Sequence, residues 1–354
     1  MSKKLSKKFS IAGVDIGENF PPYIIAEMSA NHNGKIENAF KIIEAAKEAG
    51  ANAVKIQTYR ADTITLDCNN PEFMISEGLW AGQSLFELYE KAHMPWEWHK
   101  PLFEYAKHVG ITIFSSPFDK TAVDLLEDLG CPAYKIASFE IVDHALIKYA
   151  AETGKPLIMS TGMASLEEIS EAISVAKGAG CEQLAILHCI SGYPTAPQDY
   201  NLLTIKDLEQ QFGIMVGLSD HTISNVTANA AVALGASIIE KHFTLDRNGG
   251  GPDDSFSMEP ADLIDLCKAS KETRLAIGKV NYAAVGVEQL SITHRRSLYF
   301  VKDLVMGTAV DENSVRSIRP GYGLKPKHLD AVLGRYVARD IKAGTPVSLS
   351  DFQD

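Results

Sequence analysis

Near the middle of the chain, two apolar runs each end in a cluster of titratable groups: Gly217-Leu218-Ser219-Asp220-His221 and Ile238-Ile239-Glu240-Lys241-His242-Phe243. An imidazole closes both, and one helix-length stretch, Asn225–Ala236, separates them. If the runs are neighbouring parallel strands of a β/α barrel, His221 and His242 meet at its mouth, where such enzymes place their chemistry. Imidazole ligands suit Mn, Fe, Co or Zn better than Mg on softness. A pair leaves several coordination positions free, as a Lewis acid needs to polarise a carbonyl. No cysteine cluster offers a structural zinc site. Glu27 and Glu240, each ending an apolar run, compete for acid/base work, because desolvation raises a carboxyl pKa. For Glu240 a salt bridge to a barrel lysine is the competing role.

Lys55 and Lys135 sit inside apolar contexts, Ala-Val-Lys-Ile and Tyr-Lys-Ile-Ala. A buried ammonium needs a partner, and two lysines beside several hydroxyls make a phosphate site. Ser116, Ser138, Ser160 and Ser219 follow successive apolar runs and supply such hydroxyls. Taken singly, each would read as a turn or cap residue. His32, His144 and His188 read as satisfied core histidines.

Bringing these groups together requires a repeating scaffold. Apolar runs recur at Tyr23–Glu27, Ala53–Gln57, Ile111–Ser115, Ala133–Ile136, Leu157–Ser160, Leu184–His188, Met215–Leu218 and Ser237–Glu240. Helical periodicity lies between them, as in Ile36–Ala49, Leu166–Ala179 and Asn225–Leu234. Strands apolar throughout suit a parallel sheet buried on both faces. Eight strand–helix units in about 240 residues is the arithmetic of a (β/α)8 barrel. No glycine-rich turn follows the first run, which disfavours a doubly wound dinucleotide fold. Residues 9–20 read as a short hairpin plugging the barrel bottom. Asp67–His99, with Trp80, Tyr89, Trp96 and Trp98, reads as a structural excursion in preference to a substrate-covering loop. The barrel is expected over 1–280, a connector over 281–293 and a small β-rich domain over 294–354.

The 354-residue chain carries a formal charge of −11 and a pI near 5.4. That balance argues against nucleic acid or anionic membrane as the main partner. Its five cysteines are scattered without a CxxC, as in reduced proteins. Met1–Lys8 is basic, but no signal-length apolar run follows, and no stretch reaches the roughly 18 apolar residues of a transmembrane helix. The expectation is a soluble, cytoplasmic enzyme.

Eight ordered motifs resemble the sialic acid synthase family. They are Ile24–Gly34, Val54-Lys55-Ile56-Gln57-Thr58, Ser115-Ser116-Pro117-Phe118, Tyr134-Lys135-Ile136-Ala137-Ser138, Ser160-Thr161-Gly162-Met163, Tyr193-Pro194-Thr195, Gly217–Thr222 and Glu240-Lys241-His242-Phe243. The resemblance spans nearly the whole chain. It implies an α/β fold, a (β/α)8 TIM barrel followed by a small β-rich antifreeze-like (SAF) domain. It also implies condensation of phosphoenolpyruvate with an open-chain amino-sugar aldehyde, giving a 2-keto sugar acid and phosphate. By the same resemblance, His221 and His242 hold Mn²⁺, with Mg²⁺ or Co²⁺ as alternatives. Lys55, Ser116, Lys135, Ser138, Ser160, Ser191 and Ser219 bind phosphoenolpyruvate. Gln57, Tyr193, Asp253 and Arg319 contact the sugar. Glu27, Lys55, Lys135 and Glu240 are the implied catalytic groups, with Glu27 nearest the reacting carbons. Arg319 would reach the other subunit's site in a domain-swapped homodimer.

Departures from the N-acetylneuraminate branch narrow the resemblance. Ser191-Gly192 precedes Tyr-Pro-Thr where that branch has Asn, and Ala-Ser-Phe-Glu stands at 137–140. Gly250–Pro260 and Gly78-Leu79-Trp80 resemble the pseudaminic acid synthases, which implies 2,4-diacetamido-2,4,6-trideoxy-altrose as the aldehyde. Phe139, Phe256 and Trp80 would supply apolar surface for its methyl and second acetamido groups. The alternatives are N-acetylneuraminate or legionaminate synthesis, a Schiff-base aldolase on Lys55, Lys135 or Lys241, and a non-catalytic carbohydrate-binding protein.

Overall fold

The computed structural model describes residues 9–353, so the basic start at 1–8 lies outside the described residues. Strands β1 (Phe9–Ile11) and β2 (Val14–Ile16) pair antiparallel as a hairpin. Ile11 and Ile16 are fully buried in the barrel core, and Ser10 N donates to Gln183 Oε1 just ahead of a barrel strand. The hairpin therefore covers the N-terminal end, away from the polar strand ends.

Eight parallel strands follow: β3 (Tyr23–Glu27), β4 (Ala53–Thr58), β5 (Thr112–Pro117), β6 (Tyr134–Ile136), β7 (Leu157–Ser160), β8 (Leu184–Cys189), β9 (Met215–Asp220) and β10 (Ile238–His242). They close in chain order, β10 pairing back onto β3. Burial on both faces is why these strands lack polar alternation: every residue of β3 and of β8 is buried. The helices lie outside and turn one apolar stripe inward. Ile36–Ala49 buries Ile42, Ile43 and Ala46, and ends at Gly50 in a left-handed conformation with φ 89°. Each fully buried isoleucine contributes about 1.5–3 kcal/mol, so the core readily carries a polar interior at its upper end.

Register decides which polar groups become neighbours. β10, β3 and β4 set His242 beside Glu27, and Glu27 beside Lys55. β8, β9 and β10 set Cys189 beside Ser219, and Ser219 beside Glu240. In-register residues of parallel strands share a face of the sheet. β9 and β10 run further than the sequence pattern indicates, to Asp220 and His242. Ser219, Asp220, Glu240, Lys241 and His242 are thus fixed in the strand ladders, and His221 follows directly after β9.

The chain divides after Gly278. The second unit, Lys279–Asp354, starts with a connector holding one short helix, Glu288–Ser291. Strands β11 (Ser297–Phe300) and β12 (Val315–Ile318) then pair antiparallel over a separate core that includes Leu298, Phe300, Val332 and Val337. No helix among the described residues is long and apolar enough to cross a membrane.

Candidate active site

Four charges meet inside the upper barrel. Lys55 Nζ lies 2.9 Å from Glu27 Oε2 and 3.7 Å from Glu240 Oε1, and Lys135 Nζ lies 3.5 Å from Glu240 Oε1. None of these side chains is more than 7% exposed, so each charge depends on its neighbours for compensation. Burial raises the Glu27 carboxyl, the Glu240 charge adds to this, and Lys55 only partly offsets it. Glu240 meets the same burial, yet Lys135, Lys55 and His221 together hold it below its ordinary value. Two carboxyls pushed apart in this way are suited to one acid and one base. Glu240 and Glu27 keep Lys55 firmly charged, whereas burial draws Lys135 down. Gln57 Nε2 donates to Glu27 Oε1 at 2.8 Å and orients that carboxyl.

Hydroxyls surround the lysines. Lys55 donates to Ser116 Oγ at 3.2 Å, and Ser219 Oγ donates to Glu240 Oε1 at 3.3 Å. Gly162 N donates to Ser138 Oγ at 3.1 Å. A Cβ on Gly162 would overlap Ser191 Oγ and come within 2.7 Å of Ser138 Oγ. Glycine is what lets those two hydroxyls converge. Ser160 Oγ is buried and finds no hydrogen-bond partner among the described residues. Two ammonium groups and five hydroxyls therefore line one region, a donor set matched to phosphate and carboxylate oxygens.

Next to Glu27 stand the imidazoles, ring centroids 5.4 Å apart. His221 Nδ1 donates to the Ile190 carbonyl at 2.7 Å, which orients the ring, and Cys189, that carbonyl and Asp220 raise the imidazole against burial. His242 Nδ1 is buried without a hydrogen-bond partner among the described residues, and Asp253 Oδ2 lies 3.9 Å away. Burial, reinforced by the positive charges of His221, Lys55 and other neighbours, pushes His242 well below its usual range and keeps it neutral. One imidazole oriented by a carbonyl and one with an orphaned buried nitrogen fit a divalent ion, whose binding would displace the His221 proton. Among the described residues no set of three or more His, Cys, Asp or Glu is gathered for a metal. Tyr193 packs its ring 4.3 Å from His221, and Asp253 Oδ2 accepts from Ala30 N at 3.4 Å.

The structure sorts the remaining expectations. Lys241 does not face the interior: it is held by Asp220 at 2.9 Å and by the Thr222 and Ser224 carbonyls. Strand alternation explains why, since its neighbours Glu240 and His242 point inward. His188 likewise turns outward, 2.5 Å from the Tyr200 carbonyl. His144 is a surface residue near Glu171, not a core histidine. Phe139 is 62% exposed. The 67–99 excursion does reach the mouth, because Trp80 Nε1 donates to the Pro252 carbonyl at 3.2 Å and its ring lies 6.0 Å from Tyr193. Arg319 is exposed on the second unit.

Two interior residues carry no role in the sequence reading. Cys189 hydrogen-bonds His221, and this bond together with Lys135 draws its thiol down against burial. Alternation along β8 was the available signal: with His188 outward, Cys189 faces in. Glu140, whose Oε2 is buried and unpartnered among the described residues, is pushed up by burial to about 7.

A NeuB family model matches residues 42–282, and a SAF domain model matches residues 295–353. The chain belongs to the NeuB family. Pseudaminic acid synthase from Helicobacter pylori is 42% identical over 337 residues, 94% of this chain and 98% of that protein. Pseudaminic acid synthase from Campylobacter jejuni is 42% identical over 334 residues, 94% of this chain and 96% of that protein. The crystal structure of N-acetylneuraminic acid synthetase from Leptospira borgpetersenii in complex with citrate superimposes with a TM-score of 0.73 at 32% identity, covering 82% of this chain and 96% of that one. The two matches together place a NeuB-family region and a SAF domain in one polypeptide. The family model covers Lys55, Lys135, Glu240 and both imidazoles, while Glu27 precedes its matched range.

Proposed function

We propose that this protein condenses phosphoenolpyruvate with open-chain 2,4-diacetamido-2,4,6-trideoxy-altrose and water, giving pseudaminic acid and phosphate. The observation that carries this reading is the two-part mouth. An ammonium-and-hydroxyl region lies next to an imidazole pair, and Glu27 and Glu240 stand between them. The choice of sugar rests on the 42% identity to two pseudaminic acid synthases, against 32% to the N-acetylneuraminic acid synthetase.

Lys55, Lys135 and the hydroxyls of Ser116, Ser138, Ser160, Ser191 and Ser219 bind the phosphate and carboxylate of phosphoenolpyruvate. Gln57, Tyr193 and Asp253 position the sugar. His221 and His242 would hold a divalent ion, Mn²⁺ ahead of Mg²⁺ or Co²⁺, which when bound supplies Lewis acidity toward the aldehyde oxygen. As C3 of phosphoenolpyruvate bonds to the aldehyde carbon, Glu27, the carboxyl beside His242, delivers a proton to the aldehyde oxygen. Positive charge develops at C2, and Glu240, kept ionised by the lysines, takes a proton from the water that adds there. In the collapse of the adduct the C2 hydroxyl passes its proton to the phosphate, its electron pair forms the C2 carbonyl, and the bond from C2 to the phosphate oxygen breaks, while the lysines stabilise the departing phosphate.

The same proposal makes the enzyme cytoplasmic and a head-to-tail homodimer, with Arg319 of a second copy completing the sugar pocket. Large apolar side chains left exposed after four successive strands support the dimer: Val142 after β6, Met163 and Leu166 after β7, Leu203 after β8, and Ile223 and Val226 after β9. Such an arc is the surface a second chain would cover. A panel of amino-sugar aldehydes with phosphoenolpyruvate and Mn²⁺, read by phosphate release and product mass, tests the reaction. Preference for N-acetylmannosamine over the diacetamido sugar would reject it.

A further inference from the structure

We infer that Trp80 is a specificity-determining residue, which with Phe256 walls the part of the mouth that receives the end of the sugar remote from the aldehyde. This deepens the proposed function and rests on it for the orientation of the sugar. Tyr193 is the hub of the aromatic cluster: its ring lies 4.3 Å from His221, 5.8 Å from His242, 5.2 Å from Phe256 and 6.0 Å from Trp80. Phe256, almost fully buried, also packs 5.1 Å from His242. Trp80 is therefore one ring further from the imidazoles than Tyr193. An extended six-carbon chain, at about 1.5 Å per C–C bond, spans the order of that distance. With its aldehyde at the imidazole pair, its last carbon lies toward Trp80.

The segment bearing Trp80 is built to hold an indole there. Met74 and Ser84 form a bridge, Ile75 N donates to Gln83 O, and Gly82 N returns a bond to Ile75 O. Trp80 sits at the tip of that hairpin between Gly78 and Gly82, both left-handed. Its one polar atom is spent on the Pro252 carbonyl at 3.2 Å, so the face turned toward Tyr193 is purely apolar. An apolar wall has nothing to offer a terminal hydroxyl and gains by burying a methyl group. The ligand class is thus an amino-sugar aldehyde whose terminal carbon is deoxygenated. Such a wall rejects an added hydroxyl by up to roughly 100-fold.

The experiment compares kcat/KM for two diacetamido aldehydes that differ only by a hydroxyl at C6, in wild type, Trp80→Ala and Trp80→Phe. Trp80→Ala should cut the preference for the 6-deoxy sugar at least 10-fold, through KM for the sugar, with KM for phosphoenolpyruvate unchanged. Trp80→Phe, which keeps a ring and loses the bond to Pro252, should retain most of the preference. Equal losses on both sugars, or an unchanged preference in Trp80→Ala, would overturn the assignment. If wild type instead uses only N-acetylmannosamine, the proposed substrate fails. The same variants assayed with N-acetylmannosamine and its 6-deoxy analogue then decide the role of Trp80 separately.

Discussion

Lys241 Nζ and Asp220 Oδ2 lie 2.9 Å apart, and neither side chain is more than 2% exposed. They occupy paired positions on neighbouring strands, on the outward face, between residues whose side chains point into the mouth. The pair braces the wall behind the site and has no access to substrate. Lys241→Ala strands a buried carboxylate and should cost about 3–5 kcal/mol in urea unfolding. Borohydride treatment with a keto substrate should leave no adduct on Lys241, and a trapped adduct there would restore the aldolase reading.

Gly162→Ala should damage one substrate's binding alone. The added methyl collides with Ser191 Oγ and crowds Ser138 Oγ, two of the proposed phosphoenolpyruvate ligands. KM for phosphoenolpyruvate is expected to rise at least 10-fold, and KM for the sugar to stay within about 2-fold. Equal shifts in both would show that the hydroxyls serve the whole mouth.

Glu240→Gln removes a negative charge shared by Lys55 and Lys135. The lysines then present more net positive charge to an anion, so KM for phosphoenolpyruvate should hold or fall. Loss of the ionised base should lower kcat by about 100-fold or more. A raised KM with normal kcat would remove Glu240 from proton transfer.

Dialysis against a chelator should abolish turnover, and Mn²⁺ should restore it. Added Mn²⁺ should also raise the melting temperature, because an ion that binds only the folded state stabilises it by mass action. His242→Ala should lose both effects. Full activity after exhaustive chelation would contradict the proposed role of the imidazole pair.

His99 is fully buried, with Nε2 2.8 Å from Thr58 Oγ1, and burial pushes it down to about 4. Its unfolded value is near 6.5, so the unfolded chain binds the proton more readily. Stability should be complete above pH 6.5 and decline as pH falls toward about 4. His99→Gln should flatten that decline, measured as urea midpoints at pH 4.5 and 7.5.

Much of this was legible from residue order. The eight apolar runs mark the barrel strands, because a sheet buried on both faces admits little else. Glu27, Lys55, Lys135, Glu240, His221 and His242 stand out because ionisable groups inside apolar strands demand compensation. What the sequence could not decide was which side of the wall each group faces. Glu240 and Lys241 are adjacent in sequence, as are His188 and Cys189, yet each pair splits between mouth and exterior. That split follows from strand register and barrel closure, which are set by contacts between distant segments. The Gly162 cradle and the approach of Trp80 to Tyr193 have the same origin: each joins side chains with no local signature of their contact. Sequence thus determined the inventory of chemistry, and the closed barrel determined its partition into an anion-gripping region, an imidazole pair and an apolar wall.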